Sequence, residues 1–502
     1  MKLAEIIADL AVKSVSGPLD TEIDGICYDS RKAGPGRLFC ALPGEKVDGN
    51  DFVDSVIENG AAAILSQKPY PADCPVPWVL VSDARAAMAA AAATFFGHPS
   101  HDFPVVGVTG TNGKSTTAFL THYLMAASWF RAGLVGTFQY QVGENILPAP
   151  HTTPESADLQ SLFADMREAG CRGAAMEVSS HGLVLKRVAG VRFAAGIFTN
   201  LTQDHLDFHK TMDAYFAAKR LLFEQISAQG ESGKNAPALI VNRDDRYGER
   251  LTKESFPGTR MFTFGQNATC DFKASNIRID FNGTQFTLAM QGRQVLVKTP
   301  LIGRFNVYNT LAALAAAHSV GLNFREAVKH LETAPQVPGR LESVSDRQIN
   351  YRVYVDYAHT PDALENAIKT LRELKPRRLI TVFGCGGDRD RTKRPIMGGV
   401  ADRLSDFSII TSDNPRTEDP EEIILQARAG MSGNRVEVIE NRRDAIARAI
   451  ELAGERDIVL IAGKGHEDYQ EINGVKHPFD DRKVARQVIA AKSEGTYGET
   501  IR

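Results

Sequence analysis

The sequence lacks a basic excess and paired cysteines, and each absence argues against a class of protein. Its 58 Lys and Arg residues stand against 61 Asp and Glu residues, for a formal net charge of -3. A protein that binds nucleic acid by neutralising phosphates would carry a basic excess, so we expect no nucleic-acid partner. The six cysteines are scattered without a CxxC pair or a zinc-type spacing. We therefore expect reduced thiols rather than a disulfide framework.

The sequence also lacks the apolar segments that secretion or membrane insertion requires. Glu5 and Asp9 interrupt the N-terminal stretch MKLAEIIADLAVKS, which therefore predicts an amphipathic helix and not a signal peptide. The alanine-rich run from Ala86 to Gly97 is shorter than the ~20 apolar residues of a membrane span. We expect a cytoplasmic protein that has no membrane partner and is a monomer.

The length and the turn-rich stretches predict three domains. A chain of 502 residues is long enough for about three domains of ~100–200 residues. Proline and turn residues gather at GHPSHDFP (97–104) and TAPQVPG (333–339), which are typical of boundaries. We place the domains at 1–100, 101–336 and 337–502.

The pattern between these stretches indicates an α/β protein. Short β-branched runs alternate with alanine- and leucine-rich helical stretches, which favours mostly parallel sheets. Alternation around Asn282-Gly283 predicts an antiparallel hairpin inserted in the middle domain. The runs predicted as strands are VVGVTG, AAGIFTN, ALIVN, LITVFG, FSIITSD and DIVLIAG.

A glycine-rich turn between a predicted strand and a predicted helix indicates a nucleotide site. In VVGVTGTNGKSTT (105–117), backbone N–H groups can cradle phosphates, Lys114 can reach the terminal phosphates and Ser115 can bind Mg²⁺. The spacing departs from the standard P-loop, which has glycine where this chain has Val108. A tight turn with an incidental lysine is the alternative interpretation. The candidate residues are Gly110, Thr111, Asn112, Gly113, Lys114, Ser115 and Thr116.

Acidic residues follow two other predicted strands. Glu177 ends the apolar run of AAMEVSSHGL, and NLTQDHLDFH contains Asp204, His205 and Asp207. Carboxylates at the ends of parallel strands can meet a metal there. For any one of these residues, an ordinary loop position is the more common explanation. Their occurrence at successive strand ends favours a magnesium site.

The motifs GTNGKS, MEVSSHGL, NLTQDHLDFH and AYFAAK together resemble the Mur ligases, ATP-dependent amide-forming enzymes of peptidoglycan synthesis. The resemblance implies that ATP and Mg²⁺ are used and that Lys114, Glu177, His205 and Lys219 are catalytic. It also implies that Ser115, Glu177 and His205 position Mg²⁺ with Lys219, which is carbamylated to an anionic ligand. Spacing alone predicts only a helix-surface lysine at position 219.

Further matches to the family extend over nearly the whole chain. The segment GRFNVYN (303–309) matches the adenine side, which implies nucleotide contacts for Asn306 and Asn309. The segments PGRLE and VDYAHTPDALE imply that Arg340, Asp356 and His359 complete the ATP site. Asp356 is suited to a ribose hydroxyl and Arg340 to phosphate charge.

The N-terminal third is similar to the uridine-binding domain of the Mur ligase that adds the third peptide residue. The segment YDSRKAGPGRLFCALPG (28–44) carries this likeness, although a β-rich loop with Gly-Pro turns would also explain it. Relatives carry Asn at the position of His151 and Gln at that of Leu185. The resemblance implies that UDP-N-acetylmuramoyl-L-alanyl-D-glutamate is bound by Ser30, Thr152, Thr153, Ser179 and Arg187.

Loops after three predicted strands suggest an amino-acid pocket in the C-terminal domain. Charges follow the glycine turn of ITVFGCGGDRDR, which argues against a dinucleotide site. A zwitterionic substrate with a second amino-acid head needs arginines for carboxylates and an acid for ammonium. The loop TSDNPRTEDP resembles that of ligases selecting meso-diaminopimelate, and its Asp419 and Pro420 predict a helix start. The pocket candidates are Arg389, Asp413, Asn414, Pro415, Arg416, Gly463 and Glu467.

We therefore expect a mixed α/β N-terminal domain that binds the UDP-substrate, a central P-loop-type ATPase domain and a Rossmann-like amino-acid-binding domain. The expected reaction joins meso-diaminopimelate to the UDP-dipeptide through an acyl phosphate. A ligase resembling folylpolyglutamate synthetase is the enzymatic alternative, since it shares a similar GTNGK loop. A nucleotide-controlled binding module is the non-enzymatic alternative.

Overall fold

The computed structural model describes residues 1–44, 47–69, 74–230, 233–345 and 349–494, without the side chains of residues 206, 207 and 234. The chain divides into two units, each discontinuous in sequence. The first comprises Met1–Ser275, Leu288–Val295 and Tyr308–His330, and the second Asn276–Thr287, Leu296–Val307 and Leu331–Arg502.

The N-terminal third forms a small mixed sheet with order β1-β5-β4-β3-β2. Strands β2 to β5 are parallel, whereas β1 is antiparallel to β5. The strands are β1 Val12–Ser16, β2 Gly25–Cys27, β3 Arg37–Cys40, β4 Ala63–Ser66 and β5 Trp78–Val81. The helices are α1 Leu3–Ile7, α2 Val53–Glu58 and α3 Ala84–Phe95.

The predicted N-terminal amphipathic helix is wrong beyond its first turns. Helix α1 ends at Ile7, and residues from Val12 onward pair with β5. The β-branched residues Val12 and Val15 favour a strand. Their partners, Val81 and Val79, lie more than sixty positions further along the chain, so local periodicity does not reveal the pairing.

The middle of the chain forms a larger sheet with order β16-β15-β14-β13-β12-β11-β6-β10-β7-β8-β9. Its central strands, from β13 to β7, are parallel. The strands are β6 Val105–Thr109, β7 Gly133–Val135, β8 Tyr140–Val142, β9 Asn145–Leu147, β10 Ala174–Glu177, β11 Ala195–Phe198, β12 Ala238–Asn242, β13 Arg260–Gly265, β14 Phe272–Asp280, β15 Gly283–Met290 and β16 Arg293–Thr299. The helices are α4 Lys114–Trp129, α5 Ser156–Glu168, α6 Ser180–Val184, α7 Leu206–His209, α8 Met212–Ser227, α9 Arg246–Leu251, α10 Arg304–Ser319 and α11 Phe324–Leu331.

Every residue of β6, β10, β11 and β12 is buried. Helices cover both faces of such strands, which is why the strands are continuous apolar runs in the sequence. The predicted hairpin is present, since two residues join β14 to β15. In the register of the sheet, Glu177 lies beside Val108 and Phe198 beside Thr109. The carboxyl ends of β10, β6 and β11 therefore lie side by side.

The C-terminal third forms a sheet with order β17-β18-β22-β19-β20-β21, parallel except for the short β17. The strands are β17 Glu342–Ser343, β18 Arg352–Asp356, β19 Leu379–Phe383, β20 Phe407–Ile410, β21 Val436–Val438 and β22 Ile458–Ala462, with a separate hairpin of β23 Tyr469–Ile472 and β24 Val475–Pro478. The helices are α12 Pro361–Glu373, α13 Lys393–Leu404, α14 Pro420–Arg428, α15 Arg442–Leu452 and α16 Asp481–Glu494.

Alternate residues of β22 pack into two different apolar cores. Ile458 and Leu460 belong to the core that contains Met397 of α13, whereas Val459 and Ile461 belong to the core that contains Ile446 of α15. This alternation is expected of a strand between two helical layers. The Rossmann-like prediction is therefore confirmed, as is the mixed α/β class with a mostly parallel central sheet. The predicted start of α14 is also present, because Asp419 accepts a hydrogen bond from the Glu421 backbone N–H.

Within the described part of the chain, no helix combines the length and apolar character needed to cross a membrane.

Candidate functional site

The glycine-rich turn connects the end of β6 to the start of α4. Gly110 and Gly113 have φ values of +146° and +84°, which side chains with a β-carbon rarely adopt. A β-carbon on Gly110 would also overlap Thr199 Oγ1. The Lys114 ammonium donates to the carbonyls of Gly110 (3.0 Å) and Thr111 (2.8 Å). The turn thus holds Lys114 at the N-terminal end of α4, where the first backbone N–H groups of the helix lie.

The segment after β11 supports this turn, a function that the sequence did not indicate. The Asn112 backbone N–H donates to Asn200 Oδ1 at 2.9 Å, and Thr199 Oγ1 donates to the Asn112 carbonyl at 2.6 Å. Thr111 Oγ1 donates to the Thr202 carbonyl at 3.2 Å. In the sequence, the polar residues of this segment are visible only as the TNLT stretch (199–202), which directly precedes the candidate metal ligands.

Ser115, in the first turn of α4, lies beside Glu177, which ends β10. Ser115 Oγ donates to Glu177 Oε2 at 2.9 Å, and the Thr137 backbone N–H donates to Oε1 at 2.7 Å. The Glu177 side chain is almost fully buried, with 1% exposed. A hydroxyl and a carboxylate are hard oxygen donors, so this pair fits Mg²⁺.

Lys219 is buried, contrary to the helix-surface position that its spacing alone predicts. It lies on α8 with 1% exposed. Its ammonium donates to the Gly110 carbonyl at 2.7 Å and lies 4.5 Å from the centre of the Tyr215 ring. Burial lowers the pKa of Lys219 well below its usual value, and the nearby charge of Lys114 lowers it further. The amine therefore lies directly beside the glycine-rich turn.

His205 lies in a more exposed position than the other predicted metal-binding residues. Its side chain is 47% exposed, and Nε2 lies 3.4 Å from Asp204 Oδ2. Its ring centre is 5.1 Å from that of His181. The side chain of Asp207, which the sequence also singled out, is outside the described residues. In the part of the chain whose side chains are described, no three His, Cys, Asp or Glu side chains form a preassembled metal cluster.

Four predicted UDP-substrate residues gather near the end of β10. Thr153 Oγ1 donates to the Glu177 carbonyl at 3.0 Å, and Ser179 Oγ caps α6 by accepting from the Gly182 backbone N–H at 3.0 Å. Arg187 donates from Nη1 to the Thr153 carbonyl at 3.0 Å. Thr152 Oγ1 lies 3.1 Å from Thr137 Oγ1. The fifth, Ser30, begins a short 3₁₀ helix in the N-terminal third, Ser30–Lys32.

Glu155 is a buried residue of this region that the sequence did not indicate. Arg187 donates from Nε to Glu155 Oε1 at 2.9 Å, and Arg85 donates from Nη1 to Oε2 at 3.1 Å. One carboxylate is thus shared by two arginines. Its signal was its position two residues after the predicted Thr152-Thr153 pair. His151 and Leu185, the positions at which some relatives carry other residues, contribute backbone groups. The His151 carbonyl accepts from Tyr140 Oη, and the Leu185 backbone N–H donates to the His181 carbonyl at the C-terminal end of α6.

We expect Glu155→Gln to destabilise the first unit by about 2–4 kcal/mol, since both arginines lose a largely buried anionic partner. Denaturant unfolding would measure this change. Asp102→Asn is the matched control, because Asp102 pairs with Arg167 in a more exposed place, where such a pair contributes about 0–1 kcal/mol. Equal losses in the two variants would contradict the assignment of Glu155 as the shared partner.

The remaining predicted ATP residues each contact neighbouring groups of their own unit. Asn309, in the first unit, accepts from Thr117 Oγ1 at 3.3 Å, and Asn306, in the second unit, donates to the Ile302 carbonyl at 2.8 Å. In the second unit, Arg340 lies over the Tyr357 ring at 5.2 Å. The His359 carbonyl accepts from Lys393 Nζ at 2.9 Å.

Asp356 ends β18 and accepts from the Leu341 backbone N–H at 2.7 Å. Burial raises the pKa of Asp356 to about 6, against a partial opposing effect of Arg340. The folded protein therefore retains the carboxyl proton up to about pH 6, and the ionised form, which the predicted contact with a ribose hydroxyl requires, dominates only above that pH.

We accordingly expect the KM for ATP to rise as the pH falls below 6, by about tenfold at one pH unit below the pKa. Initial rates of ADP release between pH 5 and pH 8 would measure this. Asp356→Asn should have a raised KM that does not follow this titration. A wild-type KM for ATP that is constant over the range would contradict the role of Asp356.

Four loops of the second unit follow adjacent strands of its sheet, β18, β22, β19 and β20. Asp413, after β20, is 8% exposed. Its Oδ2 has no hydrogen-bond partner among the described residues and lies 3.9 Å from Arg442 Nη1. Burial raises the pKa of Asp413, but the charges of Lys464 and Arg442 outweigh it, and the pKa is lowered overall. A buried, ionised carboxylate with an oxygen that accepts no hydrogen bond from the described residues is suited to an ammonium group.

Asn414, Gly463 and Glu467 surround this carboxylate. Asn414 Nδ2 donates to Glu467 Oε2 at 2.9 Å. Gly463 has φ +122°, and a β-carbon there would overlap Asp413 Oδ2. Lys464, which the sequence did not single out, donates to Asn414 Oδ1 at 2.8 Å. The motif GKGHE contained the signal, but burial of its lysine depends on packing that the sequence does not show.

The two predicted arginines flank Gly386 of the loop after β19. A β-carbon on Gly386 would lie 3.0 Å from Arg416 Nη1 and 3.9 Å from Arg389 Cγ. Arg416 has φ +54° and donates to the Gly387 carbonyl at 2.8 Å. Arg389 is exposed and donates to the Asp388 carbonyl at 3.0 Å. The Pro415 carbonyl accepts from the Glu418 backbone N–H at 3.0 Å, which closes a turn from Pro415 to Glu418.

Comparison with known proteins finds members of the Mur ligase family that match nearly the whole chain. Three family models match: "Mur ligase family, catalytic domain" at 22–96, "Mur ligase middle domain" at 108–317 and "Mur ligase, glutamate ligase domain" at 339–465. A Clostridium acetobutylicum protein named UDP-N-acetylmuramoyl-L-alanyl-D-glutamate--2,6-diaminopimelate ligase 1 is 43% identical over 491 residues, covering 97% of this chain and 99% of the relative. A Solibacter usitatus ligase of the same name without the final numeral is 44% identical, covering 97% and 98%.

A solved structure of a UDP-N-acetylmuramoyl-L-alanyl-D-glutamate--2,6-diaminopimelate ligase has a TM-score of 0.73 and 34% identity. The match covers 98% of this chain and 99% of that one. The likeness therefore extends over nearly the full length of both chains, and the chain belongs to the Mur ligase family.

Proposed function

We propose that this protein joins meso-diaminopimelate to UDP-N-acetylmuramoyl-L-alanyl-D-glutamate in an ATP-dependent reaction of peptidoglycan synthesis. The curated relatives named above carry this substrate pair, with 2,6-diaminopimelate, in their names. The structural observation that carries the proposal is the pocket of the second unit. It combines a buried carboxylate with one oxygen that accepts no hydrogen bond from the described residues, Asp413, with two arginines that flank one loop, Arg389 and Arg416.

The reaction needs two steps, because a carboxylate is a poor electrophile. Its oxygen first attacks the terminal phosphorus of ATP, which gives an acyl phosphate and releases ADP. The amine of diaminopimelate then attacks the acyl carbon to form a tetrahedral intermediate. Collapse expels phosphate, the nitrogen loses a proton and the amide remains. No covalent bond to the enzyme is required.

The glycine-rich turn is the proposed binding site for the phosphates of ATP. The backbone N–H groups of Thr111 and Asn112 donate to Asn200, so the phosphate oxygens are expected at the N–H groups that begin α4. Lys114 lies on the turn carbonyls, from which its flexible side chain can extend to a terminal phosphate. Such positioning and charge neutralisation supply most of the catalysis in phosphoryl transfer. Asn306, Asn309, Arg340, Asp356 and His359 are the proposed contacts to the remainder of the nucleotide.

The residues that would hold Mg²⁺ are Ser115, Glu177, His205 and Lys219 as its carbamate. When bound, the ion supplies positive charge to the phosphate oxygens. Ser115 and Glu177 already share a hydrogen bond. The Lys219 ammonium would first lose one proton, and the neutral amine would then attack carbon dioxide and lose a second proton, which converts a buried cation into an anionic carbamate. Its position beside Gly110 places that anion at the turn.

The proposed acceptor site combines Ser30 with the cluster at the end of β10. Thr153 bonds to the Glu177 carbonyl and contacts both Ser179 and Arg187, and Thr152 contacts Thr137, whose backbone N–H donates to Glu177. An acceptor carboxylate bound by these residues would therefore be close to the proposed phosphate site. We retain 1–100, 101–336 and 337–502 as the proposed domain boundaries. We also propose that the protein works as a monomer in the cytoplasm.

Substrate-dependent ADP release would test this function. We expect rapid release only when the UDP-dipeptide and diaminopimelate are both present, with one ADP for each amide formed. A ligase of the folylpolyglutamate-synthetase type would instead require a folate acceptor and glutamate. ADP release that is independent of any acceptor would support a nucleotide-controlled binding module and contradict the proposal.

A further inference from the structure

Lys464 is a fully buried lysine in the loop after β22, with 0% of its side chain exposed. Its ammonium lies 2.8 Å from Asn414 Oδ1 and 3.5 Å from Glu467 Oε2. It also lies 5.6 Å from the centre of the Tyr469 ring. Lysines are almost never fully buried without a partner. These contacts therefore account for the burial, and they link two of the loops that form the pocket.

The lysine determines how the Asn414 amide is oriented. Asn414 Oδ1 accepts from both Lys464 Nζ and the Glu471 backbone N–H, the latter at 2.9 Å. Both partners are donors only, so the oxygen must face them and the Nδ2 group must face the opposite side. One Nδ2 hydrogen goes to Glu467 Oε2. Because an amide nitrogen carries two hydrogens, the second is left for a ligand.

Lys464 and Arg442 both supply positive charge near Asp413. Arg442 is fully buried, and it also forms two hydrogen bonds with Asp481, at 2.8 Å and 2.7 Å. Its charge is therefore divided between Asp413 and Asp481. Asp413 and Glu467 are two carboxylates of the same pocket. Lys464 donates to Asn414 and lies 3.5 Å from Glu467, so its positive charge is next to both side chains.

We propose that Lys464 is a positioning residue of the amino-acid pocket, which aims Asn414 and Glu467 at the incoming amino acid and offsets the charge of the pocket's carboxylates. This inference rests on the proposed function and adds to it a residue that makes no contact with substrate. Its loss is expected to weaken binding of diaminopimelate, while the sites for ATP and the UDP-dipeptide keep their affinities.

The test is steady-state kinetics of Lys464→Met, which keeps an unbranched side chain one atom shorter and removes its charge and donors. We expect the KM for diaminopimelate to rise about 10- to 100-fold, as for loss of hydrogen bonds to charged groups. The KM values for ATP and the UDP-dipeptide should change less than about twofold. Lys464→Gln retains a donor for Asn414 but not the charge, so its effect should be intermediate.

Lys492→Met is the matched control. Lys492 is a partly buried lysine of the same unit that donates to the carbonyls of Ile450, Glu451 and Ala453. It should lower the unfolding midpoint without a selective change in the KM for diaminopimelate. If Lys464→Met fails to fold, Lys464→Gln provides the same comparison.

An unchanged KM for diaminopimelate in both Lys464 variants would overturn the inference, as would an equal rise in all three KM values, which indicates a merely structural role. Failure of the proposed function gives a different result. Wild-type protein would then form no amide from the UDP-dipeptide and diaminopimelate, or would prefer another amino acid. The KM for whichever amino acid the wild-type protein accepts would still decide the function of Lys464.

Discussion

Lys219→Ala is expected to lower kcat by about 100-fold or more, and short carboxylates such as acetate are expected to restore part of the activity. The variant loses the proposed carbamate, and loss of a metal-binding or charge-stabilising group has an effect of this size. The lysine is fully enclosed, at 2.7 Å from the Gly110 carbonyl, so its removal leaves a cavity beside the glycine-rich turn. A small carboxylate that enters this cavity replaces the anionic oxygens.

The choice of rescuing compound distinguishes the carbamate from an ordinary ammonium. Methylamine should restore activity if the cation itself is required, whereas acetate should do so if the carbamate is required. Arg220→Ala is the control on the same helix, where a half-exposed arginine pairs with Glu254. It should retain nearly full kcat. Rescue by the amine and not by acetate would contradict carbamylation.

Arg416→Gln is expected to reduce the preference for diaminopimelate over lysine by about 10- to 100-fold. Lysine lacks the second carboxylate of diaminopimelate, so a residue that binds this group contributes to discrimination between the two. A hydrogen bond to a charged group contributes about 1.5–3 kcal/mol, and each 1.36 kcal/mol corresponds to about tenfold. The guanidinium is already oriented by the Gly387 carbonyl and by Glu471, which limits the entropy lost on binding.

The measurement for Arg416 is the ratio of kcat/KM for the two amino acids. Most of the change should be a loss for diaminopimelate, with little change for lysine. Arg428→Gln is the control, since Arg428 lies on α14 and donates to the Met431 carbonyl. An unchanged ratio in Arg416→Gln would show that the distal carboxylate is bound elsewhere.

Much of the fold follows from local sequence patterns. Strands that are buried on both faces give continuous apolar runs, and these predicted β6, β10, β11, β12, β19, β20 and β22. The carboxyl ends of parallel strands meet at one edge of a sheet. This rule explains why Ser115 and Glu177, which are 62 positions apart, share a hydrogen bond.

Burial of charged side chains did not follow from the sequence. Glu155, Lys219 and Lys464 each contact residues distant in the chain. Local spacing predicts a helix-surface position for Lys219, and it did not single out Glu155 or Lys464. The N-terminal helix shows the same limit, since β1 replaces its second half only because β5 offers a partner. Such outcomes depend on long-range pairing, which periodicity does not contain.

The most direct test of the account is a competition between amino acids. The protein would be incubated with the UDP-dipeptide, ATP and an equal mixture of meso-diaminopimelate, lysine and ornithine, and the product would be weighed by mass spectrometry. The account predicts that the diaminopimelate adduct dominates and that it forms together with ADP and phosphate. A dominant lysine or ornithine adduct, or ATP hydrolysis without any adduct, would contradict it.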